Sequence, residues 1–569
     1  MIRSKFIFRS VSFEKRRLLR SGSLEHYGKP MHRMSIGSVW LLILFVMFWG
    51  LGDIPLTDLD EGAFAEASRE MLLRSDWISP WLLDQPRFDK PVLIHWLQIV
   101  SFKLLGESPL SARLPSAISG ILWIGVTAAW ARIIAVRYVQ ALNPDTVYLS
   151  ALAVAGASVG ILAISKASTA DALLNALMVA VCYSLWRFFD EPDNDSPQAL
   201  RWARWAAVFV SLGALTKGPI AILIALIASL LGAWGAQPNG WTRLRTLYSA
   251  PSCWLILLGI SLPWYYLQFL AQGDSFLTGF FGFHNIGRYT SPMHGFSAGF
   301  LYYPLWIMVA VMPWTTVLLR MPREMRLTGL YRLPQIRLCW GIFAFVVVFF
   351  TLSATKLPHY GFYGLSGLII LMSVVLAHIV HGYQSRRGFL FERLIISFSL
   401  SLIGLAPHWW PYIVPLVKDP YYVVVITDTS NYMGSKTPLY FASVATGLVV
   451  LALGHRFLIL ALGSLFCSAA LYLGVVGPTV MALRQPILEA AEFVRLTESP
   501  VITWRLTAPS LSFSAKRVIK SAEPQQGTTV VMHSKDSEKL DELLFRKYQF
   551  SPEIDLLWEK GGLRVVYIN

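Results

Sequence analysis

Apolar runs of about 20 residues, the length that crosses a hydrocarbon core, recur from residue 36 to about residue 477, separated by short polar or basic segments. Roughly thirteen such runs can be laid out, give or take one or two where short segments abut. Directly after the first run the pattern changes to a carboxylate-rich insert, Thr57 to Trp96. Its first half predicts an amphipathic helix, with Phe64, Ala67, Met71 and Leu72 at helical spacing and Glu66, Arg69, Glu70 and Arg74 on the other face. Its second half predicts another helix. Pro91 sits where a first helical residue is tolerated, His95, Trp96 and Gln98 interrupt an apolar run, and Gly106 can close the end. Two such helices would lie along a membrane surface rather than cross it.

From about Arg484 the pattern changes again. Short strand-like pieces ("PVITW", "TTVVMH", "LRVVYI") surround a helical segment, Ser537 to Tyr548, and Gly561 and Gly562 mark a hairpin turn between the last two strands. The predicted fold class is an all-α polytopic membrane protein of about 13 transmembrane helices, with surface helices in the first outer loop, plus a small C-terminal α/β domain. Its parts would be a basic N-terminus (1–35), a membrane domain (36–482) containing the outer loop 53–109, and an outer domain (483–569).

Composition agrees with that class. Only 15% of the 569 residues are charged, against about 25% in soluble domains, and the 21 Trp and 22 Tyr suit anchoring at two membrane interfaces. The net charge of +15 could suggest nucleic acid, but its placement argues for topology instead. Nine Lys and Arg between Arg3 and Arg33 face only Glu14 and Glu25, the signature of a cytoplasmic terminus rather than of a cleaved signal peptide. Propagating that orientation puts Arg137, the segment Arg187 to Arg204, Arg243 and Arg245, the cluster Arg320 to Arg337, and Arg386, Arg387 and Arg393 inside. The C-terminal domain then lies outside. Cys182, Cys253, Cys339 and Cys467 all fall in apolar runs without paired spacing, which disfavours disulfides and a cysteine-ligated metal.

A few cations nevertheless fall on the outer face: Lys90, Lys166, Lys217, Arg288 and Lys356. They share it with Asp58, Asp60, Glu61 and Asp171, and this mixed charge on the side that avoids Lys and Arg points to an anionic headgroup as ligand. Each residue has a plainer reading. Asp60 and Glu61 could cap the following helix, and Asp171 could cap its own. Lys90 could snorkel to the interface. Lys217 in "TKGP" and Lys356 in "TKLPHY" end spans beside a proline, where a bond to phosphate is also easy. His284 and His294, ten residues apart, lack the third ligand a metal site needs.

The run "DEGAFAEASREML…FDKPVLIHWLQIVSFKLLGESPLSARLPSAISG", with "LTKGP", "LPWYY…FFGFHNIGRY" and "SATKLPHY" in the same order, resembles the lipid-linked-sugar glycosyltransferases of the aminoarabinose transferase and protein O-mannosyltransferase group. It is most similar to the bacterial lipid A aminoarabinose transferase branch, and the tail block "APSLSF" is similar to that branch's outer domain. The resemblance implies a C-type glycosyltransferase architecture in a bacterial inner membrane and inversion at the anomeric carbon. It implies that Asp60, with Glu61 beside it, is the acid of the active centre and Asp171 a second acid of the same cavity. By the same resemblance Lys90 contacts the donor phosphate, and Lys356 and Tyr360 lie near the donor. Lys217 and Arg288 complete the expected phosphate-binding set. Ala63 stands where the branch usually has a basic residue, Phe64 where it has Tyr, and His284 at a position often held by an acid, departures that bear on the sugar.

The chemistry stands beside the resemblance. Glycosyl transfer from a polyprenyl phosphate builds positive charge on the sugar ring and negative charge on the departing phosphate. Fixed cations stabilise the phosphate, and a carboxylate orients or deprotonates the acceptor. No metal or cofactor is required. The expected partners are a polyprenyl-phosphate-linked sugar, a lipid A-like glycolipid or a protein hydroxyl as acceptor, and the bilayer, with no nucleic acid. The rivals are an O-mannosyltransferase, a transporter of the same lipid-linked sugar, and a structural membrane protein. A transporter would show repeated halves, broken helices and mid-membrane ionisable residues, none of which is evident in the sequence.

Overall fold

The computed structural model describes residues 33–193, 196–236, 239–291, 299–382, 389–418, 420–550 and 552–569. The basic lead before residue 33, His294, Arg386 and Arg387 lie outside the described residues. Among the described residues, six helices are long and apolar enough to cross a membrane, or up to ten if each bent pair counts as one span, against the thirteen or so predicted. Met34–Phe48 and Pro219–Gly235 are further apolar helices, but shorter. The chain is thus mostly helical, with a small sheet at its C-terminal end.

Among the described residues four helix pairs are bent, by 57° to 109°, where the sequence shows no clear sign of broken helices. At one bend, helix α5 (Pro144–Ala157) stops at Ser158, whose extended backbone (ψ 117°) separates it from α6 (Val159–Ser165). Inside a membrane every freed backbone group needs an internal partner. Here Val159 N–H donates to the Met312 carbonyl at 3.2 Å, and the Ser158 hydroxyl donates back to Val154 O at 2.6 Å. Such local bonds leave no trace in a hydropathy pattern.

The insert folds into two helices, α2 (Glu61–Arg74) and α3 (Leu93–Leu105), joined through a small hairpin of β1 (Trp81–Leu82) and β2 (Gln85–Pro86). Gly106 closes α3 with φ 77° as expected, but α3 begins at Leu93, two residues beyond Pro91. The polar face of α2 differs more. Every residue from Glu61 to Met71 is buried, charged ones included. Glu66 and Arg69 pair at 2.7 Å with almost no exposure, and Glu70 accepts backbone N–H bonds from Leu83 and Asp84 at the hairpin tip. α2 is therefore an internal strut rather than a half-immersed surface helix, its charges paired one by one.

One ion pair ties this strut to the membrane helices. Arg113, near the start of α4 (Pro109–Tyr138), meets Glu61 in a two-pronged pair at 2.7 and 2.9 Å. The same guanidinium donates to the carbonyls of Leu51, Ile54 and Pro55, and Glu61 also accepts from Thr57 N–H and Ser168 N–H. From Ser168 the buried chain continues through Gln98 to Ser68 and His95. Lys166, expected as an outer-face cation, is 2% exposed; its ammonium caps the end of α1 (Arg33–Phe48) by donating to Val46 O and Trp49 O.

The C-terminal sheet contains β3 (Val501–Thr503), β4 (Lys520–Ser521), β5 (Thr529–His533), β6 (Ile554–Lys560) and β7 (Leu563–Ile568) in the order β4-β3-β5-β7-β6. β3 runs parallel to both neighbours, and the β6–β7 hairpin turns at Gly561 and Gly562, both with positive φ, where the sequence placed it.

Breaking a buried pair leaves an uncompensated charge and costs about 3–5 kcal/mol. Arg113→Ala is therefore expected to lower the thermal unfolding midpoint of the detergent-purified protein sharply, whereas Asp60→Asn leaves it nearly unchanged. An unaltered midpoint in Arg113→Ala would show that the Glu61 network does not hold the fold.

Candidate active site

Asp171 is the first residue of α7 (Asp171–Asp190), where a carboxylate is favoured by the unpaired N–H groups of the helix start. Its Oδ1 accepts bonds from the Lys217 ammonium and from the Tyr363 hydroxyl, which lies at 2.9 Å, and His359 Nε2 stands 3.7 Å away. Lys217 is the last residue of α8 (Pro197–Lys217), and the chain reverses at Gly218 (φ 76°) into α9 (Pro219–Gly235). A side chain at Gly218 would sit 2.6 Å from the Phe280 ring, so the residue is required both for the turn and for close packing. Together these features place the Lys217 ammonium over the start of α7.

The block Pro358–Gly364 is a 3₁₀ helix, in which side chains three apart eclipse one another. Tyr360 and Tyr363 therefore share a face, with the Lys217 ammonium 5.5 and 5.1 Å from their ring centres. Arg288 follows a π-helical segment, Thr278–Gly287, and is joined to the next block by backbone bonds from Thr355 N–H to Arg288 O and from Ala354 N–H to Tyr289 O. Its Nη2 donates to His284 Nδ1 at 3.2 Å, which requires the proton of a neutral His284 on Nε2. Burial, with Arg288, Lys90 and Arg87 nearby, pushes the His284 pKa down to about 4, so the ring is neutral at pH 7. Among the described residues Arg288 forms no ion pair, and its buried Nε meets no acceptor.

Several of these groups line a cavity of about 650 Å³. Lys90, Lys217, Arg288 and Tyr360 line one part, and Ile220, Leu223, Phe349 and Phe350 supply apolar wall. Lys90 is held by its bond to Asp89 O at 2.9 Å, and Asp89 in turn pairs with Arg87 at 2.5 Å. Burial pulls the Lys90 pKa down to about 8, against the attraction of Asp89, and the neighbouring Lys217, Arg288 and Arg87 add to the fall.

Asp60 stands at the N-cap position of α2 but caps nothing. It keeps an exposed surface, and among the described residues its carboxylate enters no hydrogen bond or ion pair, although its backbone carbonyl accepts the Phe64 N–H. Partial loss of water and the like charge of Asp171 raise its pKa above the usual carboxylate value, opposed by Lys217, Lys90 and Arg87. It is the unengaged carboxylate of this neighbourhood.

The structure thus brings Lys90, Lys217, Arg288 and Tyr360 to one cavity; Asp171, bonded to Lys217, and Asp60, under the charges of both, stand outside its lining. Two further candidates have no tie to these groups. Glu61 is turned away into its pair with Arg113, and Lys356 is not among the lining residues, its ammonium donating back to Ser353 O at 2.9 Å. Tyr363, His359, Arg87 and Asp89 were missed. Tyr363 carried a usable signal, since it lies three residues beyond Tyr360 in the same block; Arg87 and Asp89 flank Lys90 but read as an ordinary charged turn.

A profile of the dolichyl-phosphate-mannose-protein mannosyltransferase family matches residues 89–266. An undecaprenyl phosphate-α-4-amino-4-deoxy-L-arabinose arabinosyl transferase of Pectobacterium carotovorum is 27% identical over 380 residues, 66% of this chain and 65% of the relative, so the match spans just under two thirds of that transferase. An uncharacterised protein of Aquifex aeolicus is 29% identical over 364 residues, 64% of this chain and 76% of its own. The crystal structure of ArnT from Cupriavidus metallidurans bound to undecaprenyl phosphate superposes with a TM-score of 0.75 over 93% of this chain and 97% of that one, at 19% identity, which establishes a shared fold. Taken with the ordered sequence blocks, these matches make the chain similar to the polyprenyl-phosphate-sugar-dependent membrane glycosyltransferases, the group that includes the aminoarabinose and protein O-mannosyltransferases.

Proposed function

We propose that the chain transfers a sugar from a polyprenyl-phosphate donor to an acceptor at the outer face of the bacterial inner membrane, and that the acceptor is a lipid A-type glycolipid. The observation that carries this reading is a cavity in which cations converge beside a largely apolar wall, with the unengaged Asp60 carboxylate outside the lining but under the charges of Lys217 and Lys90. An amphipathic donor fits such a space, its phosphate among the cations and its chain along Ile220, Leu223 and the phenylalanines. The relatives' names supply the sugar and lipid class to be tested first.

In this reading the donor phosphate meets Arg288 and Lys90, with Lys217 and Tyr360 closing the other side. As the glycosidic C–O bond breaks, its electron pair passes to the phosphate oxygen, and the cations stabilise the added charge. The acceptor oxygen attacks the opposite face of the anomeric carbon. Asp60 orients it and, for a hydroxyl acceptor, takes its proton; a lipid A phosphate is already an anion and needs orientation alone. Asp171 fixes the Lys217 ammonium. The C-terminal domain would lie on the outer side. Bent helices are equally at home in a transporter, so bond-making is the property to measure.

Expressed in a transferase-null Gram-negative host that makes the donor, the parent chain is expected to add a pentosamine-sized mass to lipid A. Asp60→Asn should reduce that product about 100-fold or more, at equal expression. Mass spectrometry of extracted lipid A reads both; an unmodified lipid A with well-inserted parent chain removes this acceptor and sugar from first place.

Binding separates the phosphate contacts from the chemistry. Arg288→Ala should weaken undecaprenyl phosphate binding roughly 10-fold or more, as loss of a charge-assisted contact does, while Asp60→Asn leaves it unchanged. Equal affinity in Arg288→Ala would take the phosphate out of this cavity. The affinity should also depend on pH. Lys90, with its pKa lowered to about 8, is a full cation only below that value. Binding should therefore hold steady just below pH 8 and weaken above it by up to about 10-fold per unit, levelling off at the higher pKa that Lys90 has beside bound phosphate. Lys90→Arg, charged throughout, should abolish that decline, and an alkaline limb that persists in Lys90→Arg would rule out Lys90 as its source.

A further inference from the structure

The C-terminal domain touches the loop that carries Asp60. Between Thr57 and Glu61 the chain turns through Leu59 at φ 68°, a left-handed conformation that a leucine adopts only when its surroundings impose it. Asp58, on one side of that turn, is bound entirely by the C-terminal region. Its Oδ1 accepts the Ser510 backbone N–H at 2.8 Å, and its Oδ2 pairs with Arg484. Arg484 also donates to the Ser510 hydroxyl at 2.5 Å, which closes a three-membered clamp. On the other side of the turn, a Cβ at Gly62 would lie 2.7 Å from Ser510 N and 3.0 Å from Asp58 Oδ1, so only glycine permits this approach. Just beyond, Phe513 packs with Leu56, Ala65, Phe102 and Ala112.

We propose that the C-terminal domain is a working part of the active site, with Asp58, Arg484 and Ser510 as positioning residues that hold the Leu59 turn and so fix Asp60 beside the cation cluster. The proposal rests on the reading of Asp60 as the carboxylate that orients the acceptor. Neither Asp58 nor Arg484 lines the cavity, so their effect passes through the loop. The domain has a second ionic contact with the insert, Lys520 with Asp84 at the hairpin tip. That pair attaches the same domain but does not touch residues 57–62, so it separates positioning of the loop from docking in general.

The test is hydrogen exchange on the full-length protein in nanodiscs, read at the Gly62 and Phe64 amides, which bond to Thr57 O and Asp60 O. It is paired with transfer kinetics using undecaprenyl phosphate-linked aminoarabinose and lipid A. Arg484→Gln and Asp58→Asn should speed exchange at these amides about 10-fold or more while the β5 and β7 amides stay protected. The same variants should lower kcat to a similar degree with the donor KM within about twofold. Arg484→Lys should restore part of both, and Lys520→Gln should leave both unchanged. Unaltered exchange in the loop, loosened exchange with unaltered kcat, or an equal effect from Lys520→Gln would overturn the proposal. Full activity in Asp60→Asn would overturn the underlying reading instead, and the exchange data would still report whether the clamp orders the loop.

Discussion

The Glu61 carboxylate is where three separate pieces of chain are forced to meet. It accepts the Arg113 guanidinium from α4, the Ser168 amide from the turn before α7 and the Thr57 amide of its own loop. A carboxylate this deeply buried is tolerable only when each lone pair is used, so the three pieces are held in register by the cost of any vacancy. Asp60 precedes Glu61 by one residue and Asp171 follows Ser168 by three. The relation between the two acids of the proposed site is therefore set by a residue that never reaches the cavity, and the adjacent pair Asp60-Glu61 divides into one free group and one structural group.

The same economy of charge shapes the cavity. Arg87 is met by Asp89, which also faces Lys90, and Lys217 is met by Asp171. Arg288 faces a neutral imidazole instead. A phosphate entering such a space would find one guanidinium without a carboxylate partner and two ammonium groups whose partners are shared or already bonded elsewhere. Low local polarity strengthens each of these interactions and raises the cost of leaving them unmade. That is why a cluster so rich in cations reads as a place for an anion rather than as a surface of solvated lysines.

Much of this was legible in the sequence, for identifiable reasons. Hydropathy period gave the helical class, and alternation with a Gly-Gly turn located β5, β7 and the hairpin of the tail, because both signals are local. Lys90, Lys217 and Arg288 could be gathered because each ends a span or lies in a loop that the charge bias assigned to the face that normally lacks cations, whereas Tyr360 came from the family resemblance alone. The split between Asp60 and Glu61 could not be read, since it depends on Arg113, 52 residues further on. The buried polar face of α2 was likewise hidden, because helical periodicity reports which residues share a face and not whether that face is covered. Lys166, like Lys217, ends an apolar run; only the approach of the α1 terminus made it a cap.

The division of labour around Asp60 follows from these constraints. A carboxylate that is to receive or orient an acceptor must keep its oxygens unbonded, yet an unbonded side chain supplies nothing to hold its own backbone in place. Its neighbours must do so. Glu61 secures one side through Arg113 and Ser168, and Asp58 secures the other through Arg484 and Ser510, with Leu59 carrying the backbone strain between the acids. Three acids in four positions thus serve one free group, and the two that look redundant in the sequence are what allow the third to remain unpaired.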